Sequence, residues 1–283
     1  LAGVDDKTSS RQLVEHNLLG TINLLEYCRR HQAGFVLLST SRVYSIPPLA
    51  NLPLKVDSEN GGNRFSPDLN ASVFRHQQSA ISALGISEKF STAAPVSLYG
   101  ATKLASEQLA LEYGYTYDFP VWIDRCSVMA GAGQFGHPAQ GIFAYWIHSF
   151  AEGKPLKYIG FDGLGRQVRD CLHPLDLLPL LEKQFKSTNS NKTKPSIVNC
   201  AGGASNSMSL AELTAWCNDR FKMNFEPQPD PKDRPFDIPW MILDSTLAKE
   251  TWDWAPVTSI SEICQNIADF AEKNPEWLRL SQA

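Results

Sequence analysis

The sequence predicts an α/β protein built around a mostly parallel sheet. Three observations carry that prediction. Short apolar runs alternate with longer stretches of helical periodicity along most of the chain. The run Phe35-Val36-Leu37-Leu38 ends in hydroxyl residues, as a buried strand with a polar carboxyl end does. The composition, 283 residues with 43% hydrophobic and 20% charged, is globular and allows one large domain or two small ones.

The elements follow in order. Leu13, Val14, Leu18, Ile22, Leu25 and Cys28 recur at close to helical spacing and predict a helix over Ser9–Arg30. A strand over Phe35–Ser39 comes next. Ser45–Ala94 reads as long and irregular, with Pro47-Pro48 and Gly61-Gly62-Asn63, and a connection of that length is usually functional or mobile. Ser97 supplies an N-cap for a helix over Leu98–Tyr113, and a strand over Pro120–Arg125 follows. Helices are then expected at Gly141–Ala151 and Leu175–Phe185, and strands at Leu156–Ile159, Gln167–Cys171 and Ser196–Cys200. Ser209-x-x-Glu212 and Ser259-x-x-Glu262 are capping boxes, opening helices to Phe221 and to Lys273. Pro227–Pro239 is a proline-rich loop, and Ser245–Thr251 a short helix.

Bulk properties narrow the function. The net charge is −4 and no basic run is interleaved with aromatics, so neither nucleic acid nor a membrane surface is an expected partner. No apolar stretch approaches the ~20 residues of a membrane span. The six cysteines are scattered without a C-x-x-C, and the six histidines form no ligand cluster. Buried free thiols, no metal and a reducing cytoplasm are expected.

The chemistry concentrates in two segments. Tyr99 and Lys103 are four apart, one turn of a single helix face. A free phenol titrates near ~10 and is a poor base at neutral pH, but an adjacent ammonium favours the phenolate. The hydroxyls of Ser39-Thr40-Ser41 stand at a strand's carboxyl end, where open α/β sheets gather their chemistry. Such a trio can take the proton of an alcohol while a hydride leaves its carbon. The same spacing also occurs on ordinary helix surfaces, so its context has to decide.

Gly131-Ala132-Gly133-Gln134-Phe135-Gly136 is a literal G-x-G-x-x-G, yet it reads poorly as a dinucleotide loop. His137-Pro138 interrupts the point where the phosphate-binding helix should start. Glu152, about twenty residues on, ends a helix rather than a strand. The alternative reading is a loop lining a substrate pocket. No other segment offers the fingerprint.

Six segments, in order, resemble the extended short-chain dehydrogenase/reductases of the nucleotide-sugar epimerase/dehydratase family. They are the strand end with Val43-Tyr44, the Tyr99/Lys103 pair, and Arg125-Cys126-Ser127 followed by Gly131. Gln167-Val168-Arg169-Asp170 with His173 and Asp176, Asn199-x-x-Gly202-Gly203, and Arg234-Pro235-x-Asp237 complete the set. The resemblance implies a Rossmann fold, a doubly wound parallel sheet, with a small mixed α/β substrate-binding part. It assigns 1–130 and 166–200 to NAD binding, and 131–165 and 201–283 to the nucleotide sugar. It makes Thr40, Tyr99 and Lys103 catalytic. Leu1, Ala2, Gly3, Asn17, Tyr99, Lys103 and Cys126 would line NAD. Gln134, Phe135, Gln140, Arg169 and Arg234 would bind the substrate, with the two arginines on its diphosphate.

Leu1-Ala2 resembles the end of a strand that in the family follows the glycine fingerprint, so roughly 80 residues would be missing and NAD would bind these 283 residues poorly. Gln134-Phe135 with Gln140-Gly141, Gly165–Asp170 and Asn206–Leu210 resemble the branch that inverts C2 of a CDP-sugar through a keto intermediate. Ser41-Arg42 replaces the Asp-Glu of the dehydratases, which argues against dehydration, and Val128 replaces a common Asn. A 4-epimerase, a reductase, or a silent NAD-binding regulatory protein are the competing readings. The family also implies a homodimer through helices 9–30 and 98–113.

Overall fold

A computed structural model describes residues 9–57, 61–71, 80–137, 140–187, 194–232 and 237–282. The described chain begins with α1 (Ser10–Leu13), opened by a capping box between Ser9 and Gln12. A π-helical turn, Val14–Leu19, joins it to α2 (Gly20–His31), so the helix expected over Ser9–Arg30 contains one widened turn. Then come β1 (Phe35–Thr40), α3 (Ile46–Ala50), β2 (Leu54–Val56), β3 (Phe65–Pro67), β4 (Ile81–Ser82) and β5 (Gly85–Ile86). The middle of the chain holds α4 (Ser97–Tyr117), β6 (Val121–Cys126), β7 (Val128–Met129), α5 (Ile142–Ala151), β8 (Lys157–Ile159) and β9 (Val168–Leu172). It continues through α6 (Leu178–Lys186), β10 (Ile197–Cys200), β11 (Ser207–Ser209) and α7 (Leu210–Phe221). The last elements are β12 (Gln228–Asp230), β13 (Trp240–Met241), α8 (Thr246–Trp252), α9 (Ile260–Lys273) and α10 (Trp277–Gln282).

The principal sheet has the order β1-β6-β10, all parallel. Its register places Thr40, Cys126 and Cys200 side by side at the carboxyl end. Every residue of β6 is buried, as a central strand covered on both faces requires. On one face Leu25, Cys28, Phe35, Leu37, Ala110, Val121 and Ile123 pack together, bringing α2 and α4 onto the sheet. On the other, Trp122, Cys126, Leu180, Val198, Cys200, Ala248 and Trp252 bring α6 and α8. Helices on both faces of a parallel sheet are the doubly wound arrangement that the sequence predicts. Ala248, Trp252 and Trp254, from the stretch expected on the substrate side, share this second core.

A smaller mixed sheet forms around β9. It is antiparallel to β11 and parallel to β13 and β7. Because β7 follows β6 directly, it carries the chain from the principal sheet to this one. A separate core joins α5, α7 and α9 through Phe143, Trp146, Ile147, Leu213, Ile263 and Ile267.

The stretch expected to be irregular has a core of its own. Ile46, Leu49, Leu52, Ile81, Ile86 and Phe90 pack with Ile238, Trp240, Met241, Ile242 and Leu243. Ile86 N–H donates to Ile242 O at 2.8 Å, and Asp244 N–H to Ile86 O at 2.9 Å. Gly85 makes this approach possible: its φ is +137°, and a Cβ there would lie 2.6 Å from the Leu243 backbone. Strands of two or three residues leave too short a pattern for periodicity to register.

Candidate active site

Thr40 ends β1, and the chain turns at once into a 3-10 turn over Ser41–Val43. The Thr40 hydroxyl accepts the Arg42 N–H at 3.2 Å, which caps that turn. α4 is pressed against it: a Cβ on Gly100 would collide with the Arg42 carbonyl, so only glycine permits this approach. Ser97, at φ +71°, accepts the Gly100 N–H at 3.1 Å and performs the capping that its position predicts. These contacts bring Tyr99 to Thr40, and the two hydroxyls are hydrogen-bonded.

Burial and nearby polar groups act on Tyr99 in opposite directions. Burial raises the Tyr99 phenol above its usual value, while the bond to Thr40 and the nearby Arg42 guanidinium oppose the rise. Lys103 reaches toward β1. Its ammonium donates to the Leu38 carbonyl of β1 at 2.9 Å, and burial lowers its own pKa. The Arg42 guanidinium is a nearby cation that favours the phenolate.

A buried framework holds the site from below. Arg125 and Glu107 form an ion pair at 2.7 Å, and Ser39 donates to the same carboxylate. The Arg125 guanidinium lies 5.2 Å from the Tyr44 ring centroid. Tyr44 donates to Asn199 Oδ1 at 2.6 Å, and Asn199 N–H donates to Glu88 at 2.6 Å. The motif positions Tyr44, Arg125 and Asn199 therefore tie β1, β6 and β10 to the 45–94 stretch. Asp170 accepts the Gly203 N–H at 3.1 Å, and burial pushes its carboxyl up to about 7. Asp176 accepts the N–H groups of Val257 and Thr258.

Thr40 and Tyr99 face a cavity of about 440 Å³ at the carboxyl ends of β1 and β6. Cys126, expected at NAD, and Gln134, Gln140 and Arg169, expected at the substrate, line it too. Arg169 donates to the Val168 carbonyl at 2.8 Å and pairs with Asp237 at 3.3 Å; burial brings its pKa down to about 10. Burial pushes the Cys126 thiol up. Arg42, Gln167, Met208 and Asp237 also line the cavity and were not singled out as binding residues. The Oε1 atoms of Gln134 and Gln167 are buried without a hydrogen-bond partner among the described residues, as groups awaiting a polar ligand are.

Other predicted residues lie elsewhere. Asn17 sits in the π-helical turn and donates to Thr102 Oγ1 at 3.1 Å, tying that turn to α4. Phe135 is 60% exposed and stacks on Trp277 rather than lining the cavity. Leu1, Ala2, Gly3 and Arg234 lie outside the described residues. Among the described residues there is no cluster able to hold a metal, and no helix long and apolar enough to cross a membrane.

The glycine loop is packed by the chain itself. A Cβ on Gly136 would lie 2.6 Å from the Tyr145 nitrogen, and one on Gly141, at φ +69°, 2.5 Å from the Phe135 carbonyl. Gly136 thus serves internal packing, and Gln134 of the same loop lines the cavity. The parallel strand ends at Thr40 and Cys126, with Tyr99 beside them, fit the nicotinamide end of a dinucleotide.

Residues 73–201 match the model of the NAD dependent epimerase/dehydratase family. The chain is 25% identical over 267 residues to the CDP-paratose 2-epimerase of Salmonella typhi, covering 90% of this chain and 70% of that one. It spans 34% of a trifunctional UDP-glucose 4,6-dehydratase of Arabidopsis thaliana, at 25% identity over 276 residues and 95% of this chain. Among solved structures, the Bacillus cereus UDP-glucuronic acid 4-epimerase in complex with UDP-glucuronic acid and NAD is similar. Its TM-score is 0.64 at 21% identity, over 92% of this chain and 68% of that one. The proteins it is similar to include sugar-nucleotide epimerases, which are isomerases, and the matched family is described as NAD dependent.

Proposed function

We propose that the chain carries the catalytic trio and substrate side of an NAD-dependent nucleotide-sugar epimerase, acting at C2 of a CDP-sugar. The observation that carries this is the meeting of Tyr99 and Thr40 in one cavity with Arg169, Gln134 and Gln140. Tyr99 in its ionised form accepts the proton of the sugar hydroxyl, and the Thr40 hydroxyl holds the same oxygen. NAD, when bound, would supply reversible hydride-acceptor chemistry for that carbon. Tyr99 and Lys103 would hold its ribose, with Cys126 beside them. Arg169 binds the diphosphate, its guanidinium offering more donors than Asp237 and Val168 occupy.

Ser41 and Arg42 offer no carboxylate beside Thr40, so the acid and base that dehydration needs are absent there. A 4-epimerase is the second reading, favoured by the likeness to the UDP-glucuronic acid 4-epimerase. Exposed Leu24 and Tyr27 on α2 and Leu98 and Tyr115 on α4 support a homodimer through these helices. The six free, buried cysteines suit the reducing cytoplasm. The test is a panel of CDP- and UDP-sugars assayed for epimers. Tyr99→Phe is expected to lose about 10²–10⁴-fold in kcat with its melting temperature retained. Unchanged turnover would remove Tyr99 from the mechanism, and steady NADH release would favour a reductase.

A further inference from the structure

Trp277 lies on α10, far along the chain from the cavity loop that it touches. Its indole Nε1 donates to the Gln134 carbonyl at 3.0 Å. Its ring stacks on Phe135 with centroids 5.0 Å apart and planes at 11°. Phe270 of α9 meets the same indole edge-on, at 5.1 Å and 86°. α10 is itself anchored, since Leu278 is fully buried and the helix packs on α5. The 131–136 loop is therefore gripped from outside at two consecutive residues.

On the inner side, Gln134 lines the cavity. Its Nε2 donates to the Met129 carbonyl at 2.7 Å, while its Oε1 has no partner among the described residues. The indole fixes the Gln134 backbone, and Met129 fixes its amide. Together they leave one acceptor unspent in a set position. Gly133, at φ +77°, turns the loop in a conformation that other residues rarely adopt.

We infer that α10 is a strap that holds Gln134 in place for the nucleotide sugar, with Trp277 as its positioning residue. This rests on reading the cavity as a nucleotide-sugar site. Phe135, outside the cavity, serves as the platform on which the strap closes. Positioning of this kind is how groups remote from a ligand affect its binding.

The test is calorimetric titration of the protein with CDP-glucose and UDP-glucose. It compares wild type with Trp277→Phe, Trp277→Ala, Gln134→Ala and the Gln134→Ala/Trp277→Phe double variant. Trp277→Phe keeps one aromatic ring and removes the N–H together with the smaller ring that carries it. It is expected to weaken the tighter-binding nucleotide sugar about 3- to 10-fold, the effect of one lost hydrogen bond. Trp277→Ala is expected to weaken it at least as much; if that variant fails to fold, Trp277→Phe decides. In the Gln134→Ala background, Trp277→Phe should change affinity by less than about 2-fold, because the residue through which it acts is gone. A Trp277→Phe variant that binds like wild type, or a loss that persists without Gln134, would overturn the strap while leaving the cavity's reading intact. A wild type that binds neither nucleotide sugar would overturn both.

Discussion

At Tyr99, burial and charge pull in opposite directions. Burial favours the neutral phenol; Thr40 and the Arg42 guanidinium favour the phenolate. A base must be ionised to accept a proton, so activity should rise as pH rises through the Tyr99 pKa. Removing the positive charge of Arg42 should raise that pKa further. Arg42→Gln is therefore expected to move the acidic limb of the kcat–pH profile to higher pH, and Arg42→Lys to move it less. An unmoved limb in Arg42→Gln would separate Arg42 from the phenol. Thr40 and Tyr99 were legible in the sequence because hydroxyls at a strand end and a Tyr-x-x-x-Lys spacing are local patterns. Where the Lys103 ammonium goes was not legible. It depends on how close α4 lies to β1, and that distance is set by packing.

The closeness of α4 to the turn after β1 is a property of the two elements together, and Gly100 permits it. A methyl group there meets the Arg42 carbonyl, which is backbone and cannot rotate away. Gly100→Ala should destabilise the fold by about 1–3 kcal/mol, as overpacking does. It should also lower kcat by displacing the turn that carries Thr40 and Arg42. Urea unfolding and turnover on the same sample check both effects. A stable, fully active variant would show that the two elements can part without cost.

Other elements show why some were readable and others not. The capping boxes at Ser209 and Ser259 mark helix starts that the structure places where they predict. α10 escaped notice because six residues span too few turns to show a period. The π-helical turn at Val14–Leu19 leaves helical spacing nearly unchanged, so periodicity reads through it. The 45–94 stretch packs against 238–243, a pairing of distant segments that no local pattern encodes.

Across the whole molecule, buried carboxyls set a pH dependence of stability. Burial pushes Asp170 up to about 7 and Asp124 up to about 6. Unfolded aspartate titrates near ~3.9, so between these values the native state binds protons that the unfolded chain has released. Their contribution to stability is fully present below about 3.9 and is lost as pH rises through about 6 to 7. Thermal melts from pH 4 to pH 8, with other charges held in common, should show a shallower decline in Asp170→Asn than in wild type. Equal slopes would mean that Asp170 is already ionised in the folded protein. Asp170 lies on β9 next to the cavity-lining Arg169 and accepts the Gly203 N–H, so this titration touches the frame of the site.

The central claim is that a hydrogen leaves and returns to one sugar carbon within this cavity. Incubation of the protein with NAD and the accepted nucleotide sugar in deuterium oxide, followed by proton NMR of the epimer, tests it most directly. The account predicts an inverted carbon that still carries protium, with no lasting NADH, because the hydride never exchanges with solvent. Deuterium at that carbon, or NADH accumulating in step with product, would contradict it.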